Sequence, residues 1–476
     1  MEFGLVSLLP PILAIILAIV TKQVFLSLFA GIFLGEILLH GWALFPALNA
    51  SLGRIIDVFA EGWVTKTVLF SLLVGGVITL VQASGGVDGF VDYLTEKTKL
   101  VKNEKAAQLL AFIIGIVVFI ESSITILTSG TVARPLTDKY KVSREKLAYI
   151  IDSTSAPICS LIPLNAWGAT LMGLIAVQVS NGVIEGNPTT LLIKSIPFNF
   201  YSIIAVLAVA YYIFTGKDWG PMKTAEERVK TTGKLMKEGA VPVVDVEATQ
   251  IPTKDGVQPK ASNMILPIAV LIACMPIFLL ITGEGNLLNG SGSTSVFWSV
   301  LVSLTFSAIY YRAQNIMKLE EFMGYVYKGI GSMIPVVTIL IFSIAIGNVV
   351  SDVGTGSFMA SLVEGRINGG YGPAIIFVMG CLIAFSTGTS WGTFALMMPI
   401  AIQMAVAMDA NVLVSIGAVI SGAIMGDHCS PISDTTIISS MAAATDHIEH
   451  VKTQIPYALA NSVVTLVLFL IAGFLL

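Results

Sequence analysis

The sequence predicts an all-α polytopic membrane protein made of two inverted-topology repeats, each with five crossings, one re-entrant hairpin and one broken helix. Three observations lead there. Of 476 residues, 55% are hydrophobic and 12% charged, against about 25% charged in a soluble domain. Apolar stretches recur at the length a helix needs to cross a ~30 Å hydrocarbon core. The polar residues within them gather at hydroxyl- and proline-rich breaks, matched between the two halves of the chain.

Along the chain, crossings are expected at 5–20, 24–40, 64–83, 147–179 and 191–214, then at 263–282, 294–311, 331–350, 411–445 and 454–476. Residues 1–214 make the first repeat and 263–476 the second. The stretch between them, 215–262, is rich in Lys, Glu and Pro and reads as a flexible cytoplasmic linker. The opening run MEFGLVSLLPPILAIILAIV lacks a basic n-region and a small-x-small cleavage site, so it reads as a crossing and not a removed signal. Cys159, Cys274, Cys381 and Cys429 show no pairing or ligand spacing and read as small core residues.

Residues 105–139 and 371–408 are too short for two crossings and too long for one straight helix. Each has a polar centre, ESSIT at 121–125 and STGTS at 386–390. A hairpin that enters halfway and returns explains both facts, because irregular backbone is tolerated at membrane depth where protein or a water cavity surrounds it. With both hairpins re-entrant, 22 of the 26 Lys and Arg fall on one side, which the positive-inside rule makes cytoplasmic. The expected setting is a bacterial inner membrane, with both termini periplasmic.

Five crossings per half invert the second half relative to the first. ESSITILTSGTVARP (121–135) matches FSTGTSWGTFALMMP (385–399) in the spacing of hydroxyls before a proline, and DSTSAPI (152–158) matches DHCSPI (427–432). Inverted repeats around broken helices are the architecture of many secondary transporters, with the site near the midplane.

A proline within a helix removes one amide donor and frees the carbonyl four residues back. By that rule Pro157 frees the Ser153 carbonyl, and Pro431 frees that of Asp427. Asp152, Ser153 and Ser155 surround the first break; Asp427, Ser430, Asp434 and Thr435 surround the second. Sodium, like other hard cations, favours an oxygen shell, and acids embedded in a membrane are rare without a task. Burial favours the protonated carboxyl and a bound cation favours the ionised one, so proton and sodium compete. The hairpin tips add Ser123, Thr387 and Thr389 as further cation ligands. Glu121, Ser122, Thr125, Ser386 and Ser390 are candidates for substrate or proton coupling, with His428 and Thr436. Trp167, Trp391 and Asn165 stand close to the breaks and would wall a substrate cavity.

GDHCSPISDTTIISS (426–440) resembles the signature of the NhaC family of sodium/proton antiporters, within the ion-transporter superfamily. The resemblance implies sodium-coupled secondary transport, and carries Asp427, Ser430, Asp434, Thr435 and Thr436 over as ion-site residues. Members of the family include proton antiporters, malate–lactate exchangers and amino-acid carriers. The expected function is therefore Na⁺/H⁺ antiport by alternating access, the alternative being Na⁺- or H⁺-coupled transport of a small organic acid or amino acid. Expected partners are Na⁺, H⁺, such a solute, the lipid bilayer and a second copy of the chain as a homodimer. No nucleic acid, no cofactor and no enzyme activity are expected. His428 and Cys429 are neighbours in sequence, which is not how a nucleophile and its base are arranged.

Overall fold

The computed structural model describes residues 3–21, 23–60, 62–93, 103–119, 121–240, 251–286, 290–355, 358, 368–431 and 433–476, and their regular structure is all helical. Seven helices among these are long and apolar enough to cross a membrane, or eight if one bent pair is a single span. Six of the ten expected crossings coincide with such a helix: Val64–Ala83, Phe200–Thr232 (interrupted at 216–219, so that its apolar part is Phe200–Thr215), Ser262–Thr282, Gly292–Ala313, Val412–Cys429 and His447–Leu475. Expected crossing 147–179 is the bent pair, Arg144–Leu161 and Ala166–Ser180, which meet at 45°. Three others hold shorter apolar helices, Gly4–Ala14, Phe25–Leu39 and Leu340–Val350. The seventh long helix, Ser390–Ala407, is the second arm of a hairpin.

Each of the two stretches expected to be a hairpin folds as a pair of packed helices. Glu104–Val117 and Ser122–Lys139 lie side by side, joined by a hydrogen bond from Ser129 Oγ to the Ala111 carbonyl (2.8 Å). Gly372–Thr387 and Ser390–Ala407 turn at Gly388, whose φ of +68° suits a residue without a side chain. Gly369 packs on the carbonyls of Met408 and Asp409, and Gly372 on Ala410. The chain thus leaves this hairpin where it came in.

The first arm of that hairpin lies along Val412–Cys429, which is buried from Val414 to Cys429. Gly422 and Gly426 make the approach possible. A β-carbon on Gly426 would sit 2.3 Å from the Cys381 carbonyl oxygen and 2.6 Å from the Phe385 nitrogen. Small residues at helix crossings are how membrane helices bring backbones close. Elsewhere Gly62–Ala83 packs on Leu319–Asp352, with Ser262–Thr282 against Gly292–Ala313.

Leu44–Asp57 is among the helices that were not expected. It exposes Leu44, Phe45, Leu48, Leu52 and Ile56 and buries Ala47 and Ser51, the pattern of a helix lying in the membrane interface. Arg54 fixes it, donating to Glu36 (2.6 Å) and Asp352 (2.5 Å).

Within the expected linker 215–262, described residues 217–237 are tied to the rest of the chain. Gly220–Thr232 is a helix that buries Met222, Ala225 and Val229. Its Glu226 accepts from the Ser143 amide (2.9 Å), and Arg228 donates to both Glu145 oxygens (2.8 and 3.0 Å). Lys146, 1% exposed, pairs with Asp218 inside a cage of Tyr149, Tyr212 and Tyr457. A polar helix reads as solvated until its partners are known, and here they lie more than 70 residues away. Arg228→Ala strands the buried Glu145 carboxylate, and removing one partner of a buried pair costs about 3–5 kcal/mol. Limited trypsin digestion should therefore cut between residues 217 and 237 at least about tenfold faster than in the wild type, following the opened population. An unchanged rate would show that Arg228 does not hold the segment down.

Candidate ion-binding site

Helix Val412–Cys429 stops because Pro431 has no amide to continue it. Ser430 N turns back to the Asp427 carbonyl (3.0 Å), and a new helix, Asp434–Ala442, starts after the cap residue Ser433. Ser433 Oγ accepts from Thr436 N (3.4 Å), as an N-cap does. A hydroxyl also has one hydrogen to give, and Ser433 gives it to Asp427 Oδ1 (2.8 Å). The other carboxylate oxygen, Oδ2, accepts from Ser390 Oγ (2.8 Å) and from Thr435 Oγ1 (3.4 Å). Asp427, 2% exposed, is thus clasped by the tip of the second hairpin on one side and the helix after the break on the other.

These oxygens suit a hard cation. Each hydroxyl can rotate its hydrogen away from the carboxylate and present a lone pair to an ion beside it. No group of three or more His, Cys, Asp or Glu among the described residues could hold a metal ion.

The first break lies against the second. His428, beside Asp427, contacts Ser153 Oγ through Nε2 (3.0 Å) and Tyr201 OH through Nδ1 (2.8 Å). Gln454 Nε2 donates to both Asp152 Oδ2 and the His428 carbonyl, each at 2.6 Å. His450 Nε2 stands 3.4 Å from Asp152 Oδ2. Trp167 and Trp391 meet with ring centroids 4.7 Å apart, and Phe394 lies 5.8 Å from Trp167.

Several expected ligands are engaged elsewhere. At the second break the Asp427 carbonyl is not left open: it accepts from Ser430 N (3.0 Å) and Thr436 Oγ1 (3.5 Å). Hydroxyls and amides next to a proline re-satisfy the backbone. Ser430 Oγ donates to the Phe385 carbonyl (2.7 Å), tying hairpin to broken helix. Thr387 donates back to Ile383, and Thr389 caps the second arm through Gly392 N. At the first tip, Ser122 Oγ donates to Glu121 Oε1 (3.2 Å), and Thr125 bonds the Val118 and Glu121 carbonyls within the same hairpin. Asn165 caps Ala166–Ser180 and donates to the Phe119 and Cys159 carbonyls (both 2.9 Å), joining the first hairpin to the first break. The side chains of Ser123, Ser386 and Asp434 lie outside the described set.

Sequence reasoning missed Ser433, Tyr201, His450 and Gln454. Ser433 stood inside the string GDHCSPISDTT but was overshadowed by its Ser-Pro. Buried His450, Gln454, Tyr457 and Asn461 form one face of the last helix, at steps of four, three and four. That stripe was readable as the polar side of an otherwise apolar span.

Residues 158–474, two thirds of the chain, match the Na⁺/H⁺ antiporter family. The chain belongs to that family. A Haemophilus influenzae protein, named only as uncharacterized, is 35% identical over 98% of this chain and 91% of its own length. The malate-2H⁺/Na⁺-lactate antiporter of Bacillus subtilis is 33% identical over 21% of this chain and 22% of its own. Among solved structures, the YdaH transporter of Alcanivorax borkumensis aligns with a TM-score of 0.60 at 13% identity, covering 89% of this chain and 88% of that one. At that identity the likeness establishes the fold alone. The family member described here is an integral membrane transporter, with the Asp427 carboxylate inside the matched region.

Proposed function

We propose that the protein is a sodium-coupled antiporter that exchanges Na⁺ for H⁺ by alternating access. The observation that carries this reading is the Asp427 carboxylate, clasped between hydroxyls of two separate elements, Ser390 on the hairpin and Ser433 and Thr435 after the break. Sodium binds there with the carboxylate ionised; a proton takes its place when the ion leaves. A site shared by two elements is made and unmade by their relative movement, as alternating access requires. The family match supports the same reading. The two halves then act as inverted copies, with 215–262 on the cytoplasmic face of a bacterial inner membrane and both termini outside it.

A second reading, sodium- or proton-coupled exchange of a small carboxylate, has one observation in its favour. Trp167 Nε1 is buried without a hydrogen-bond partner among the described residues, on the ring that meets Trp391. A buried, unpaired N–H donor suits a carboxylate oxygen. The Bacillus relative's name points the same way.

Proteoliposomes separate the two readings. Proton movement driven by a sodium gradient with no added solute is the expected result; strict dependence on one organic acid would overturn it in favour of the second reading. In the same assay, Ser433→Ala removes one carboxylate partner worth about 1 kcal/mol. The half-saturating sodium concentration should rise roughly fivefold, and an unchanged value would take Ser433 out of the site.

A further inference from the structure

The carboxylate of Asp152 is built differently from that of Asp427. Its Oδ2 has the Gln454 amide and the His450 ring beside it, but its Oδ1 is buried with no hydrogen-bond partner among the described residues. The Gln454 Oε1 is in the same condition. The amide cannot be turned round to relieve it. Nε2 spends both its hydrogens on acceptors, Asp152 Oδ2 and the His428 carbonyl, and exchanging O for N would set an oxygen against two oxygens. Two adjacent side chains, each about 1% exposed, therefore present lone pairs that no hydrogen bond meets, beside a His450 ring that makes none either.

Buried polar atoms in native proteins are nearly always satisfied, and buried charges are paired. A water could donate to both oxygens but brings no charge, and the one ionisable neighbour, His450, has neither ring nitrogen in a hydrogen bond among the described residues. No Lys or Arg pairs with Asp152 among the described residues; its one ionisable neighbour within pairing distance is His450. A monovalent cation supplies both the contacts and the charge.

We propose that Asp152 Oδ1 and Gln454 Oε1 hold a second sodium ion, separate from the one at Asp427. The inference rests on the sodium-coupled reading above and extends it to two ions per cycle. The two sites are joined through few atoms: Gln454 also grips the His428 carbonyl, and His428 is bonded to Asp427 in the chain and to Ser153 through its ring. Filling one site fixes the groups that line the other, so binding is cooperative.

The test is equilibrium binding of ²²Na⁺ to the purified full-length protein in detergent, with monodispersity checked by gel filtration. Two ions per chain, with a Hill coefficient above one, are expected for the wild type. Asp152→Asn and Gln454→Leu should each bind one ion, whereas Ser433→Ala should still bind two, one of them about fivefold more weakly. A single ion in the wild type overturns the second site while leaving sodium coupling intact, and needs no variant to fold. Two ions retained in both Asp152→Asn and Gln454→Leu would place the second ion elsewhere. No bound sodium at all would overturn the coupling reading itself.

Discussion

Asp427→Asn is expected to abolish sodium-driven transport in proteoliposomes while leaving the protein folded. The amide has nearly the carboxylate's shape, and its oxygen still accepts from Ser433. Ser390 and Thr435 can reverse their hydroxyls to accept from the new NH₂ group. What disappears is the charge. A buried cation that loses its carboxylate loses about 3 kcal/mol or more, roughly 150-fold in affinity. Sodium that still half-saturates the variant at the wild-type concentration would remove Asp427 from the site. Ser433→Ala is the graded companion: it removes a hydrogen bond and not the charge, and its smaller effect separates damage to the shell from loss of the ligand.

Gly426→Val should cost nearly as much without touching a polar atom. Its β-carbon would meet the Cys381 carbonyl, Ala384 Cβ and Phe385 N, two of them backbone atoms that no rotamer change can move. Overpacking of this kind costs about 1–3 kcal/mol when the surroundings shift to absorb it. The element that must shift is the first hairpin arm, whose Phe385 carbonyl holds Ser430 and whose far end leads to Ser390. The expected result is a lowered thermal midpoint together with sodium uptake reduced at least tenfold, beyond what the loss of folded protein explains. Gly331→Ala, on a helix where an added β-carbon meets nothing within 4 Å, should leave both unchanged. Wild-type uptake in Gly426→Val would mean that the hairpin is free to move off the broken helix without disturbing the site.

Hydropathy was enough to read the helices, because in a membrane the length and polarity of a segment decide its fate almost alone. The hairpins and breaks were legible for a related reason: polar residues in an apolar run demand an explanation. The failures are of three kinds. Leu44–Asp57 is too short to cross, and its exposed apolar stripe shows only once the helix is placed. Gly220–Thr232 is polar, and nothing near it in sequence announces Glu145 or Ser143 as partners. At the second break the proline drew attention to the Asp427 carbonyl, yet the Ser430 amide and the Thr436 hydroxyl occupy it. The open acceptors, Asp152 Oδ1 and Gln454 Oε1, are on side chains some 300 residues apart. Pairings of that range are set by packing, which a sequence pattern does not encode.

The meeting of Trp167 and Trp391 gives the protein an optical reporter of its own. One ring comes from the first half of the chain and the other from the tip of the second hairpin, 4.7 Å apart. Two indoles at that distance couple their electronic transitions, and the coupling falls steeply as they separate. With only six tryptophans in the chain, near-ultraviolet dichroism can follow this one contact, label-free, as ions are added or withdrawn.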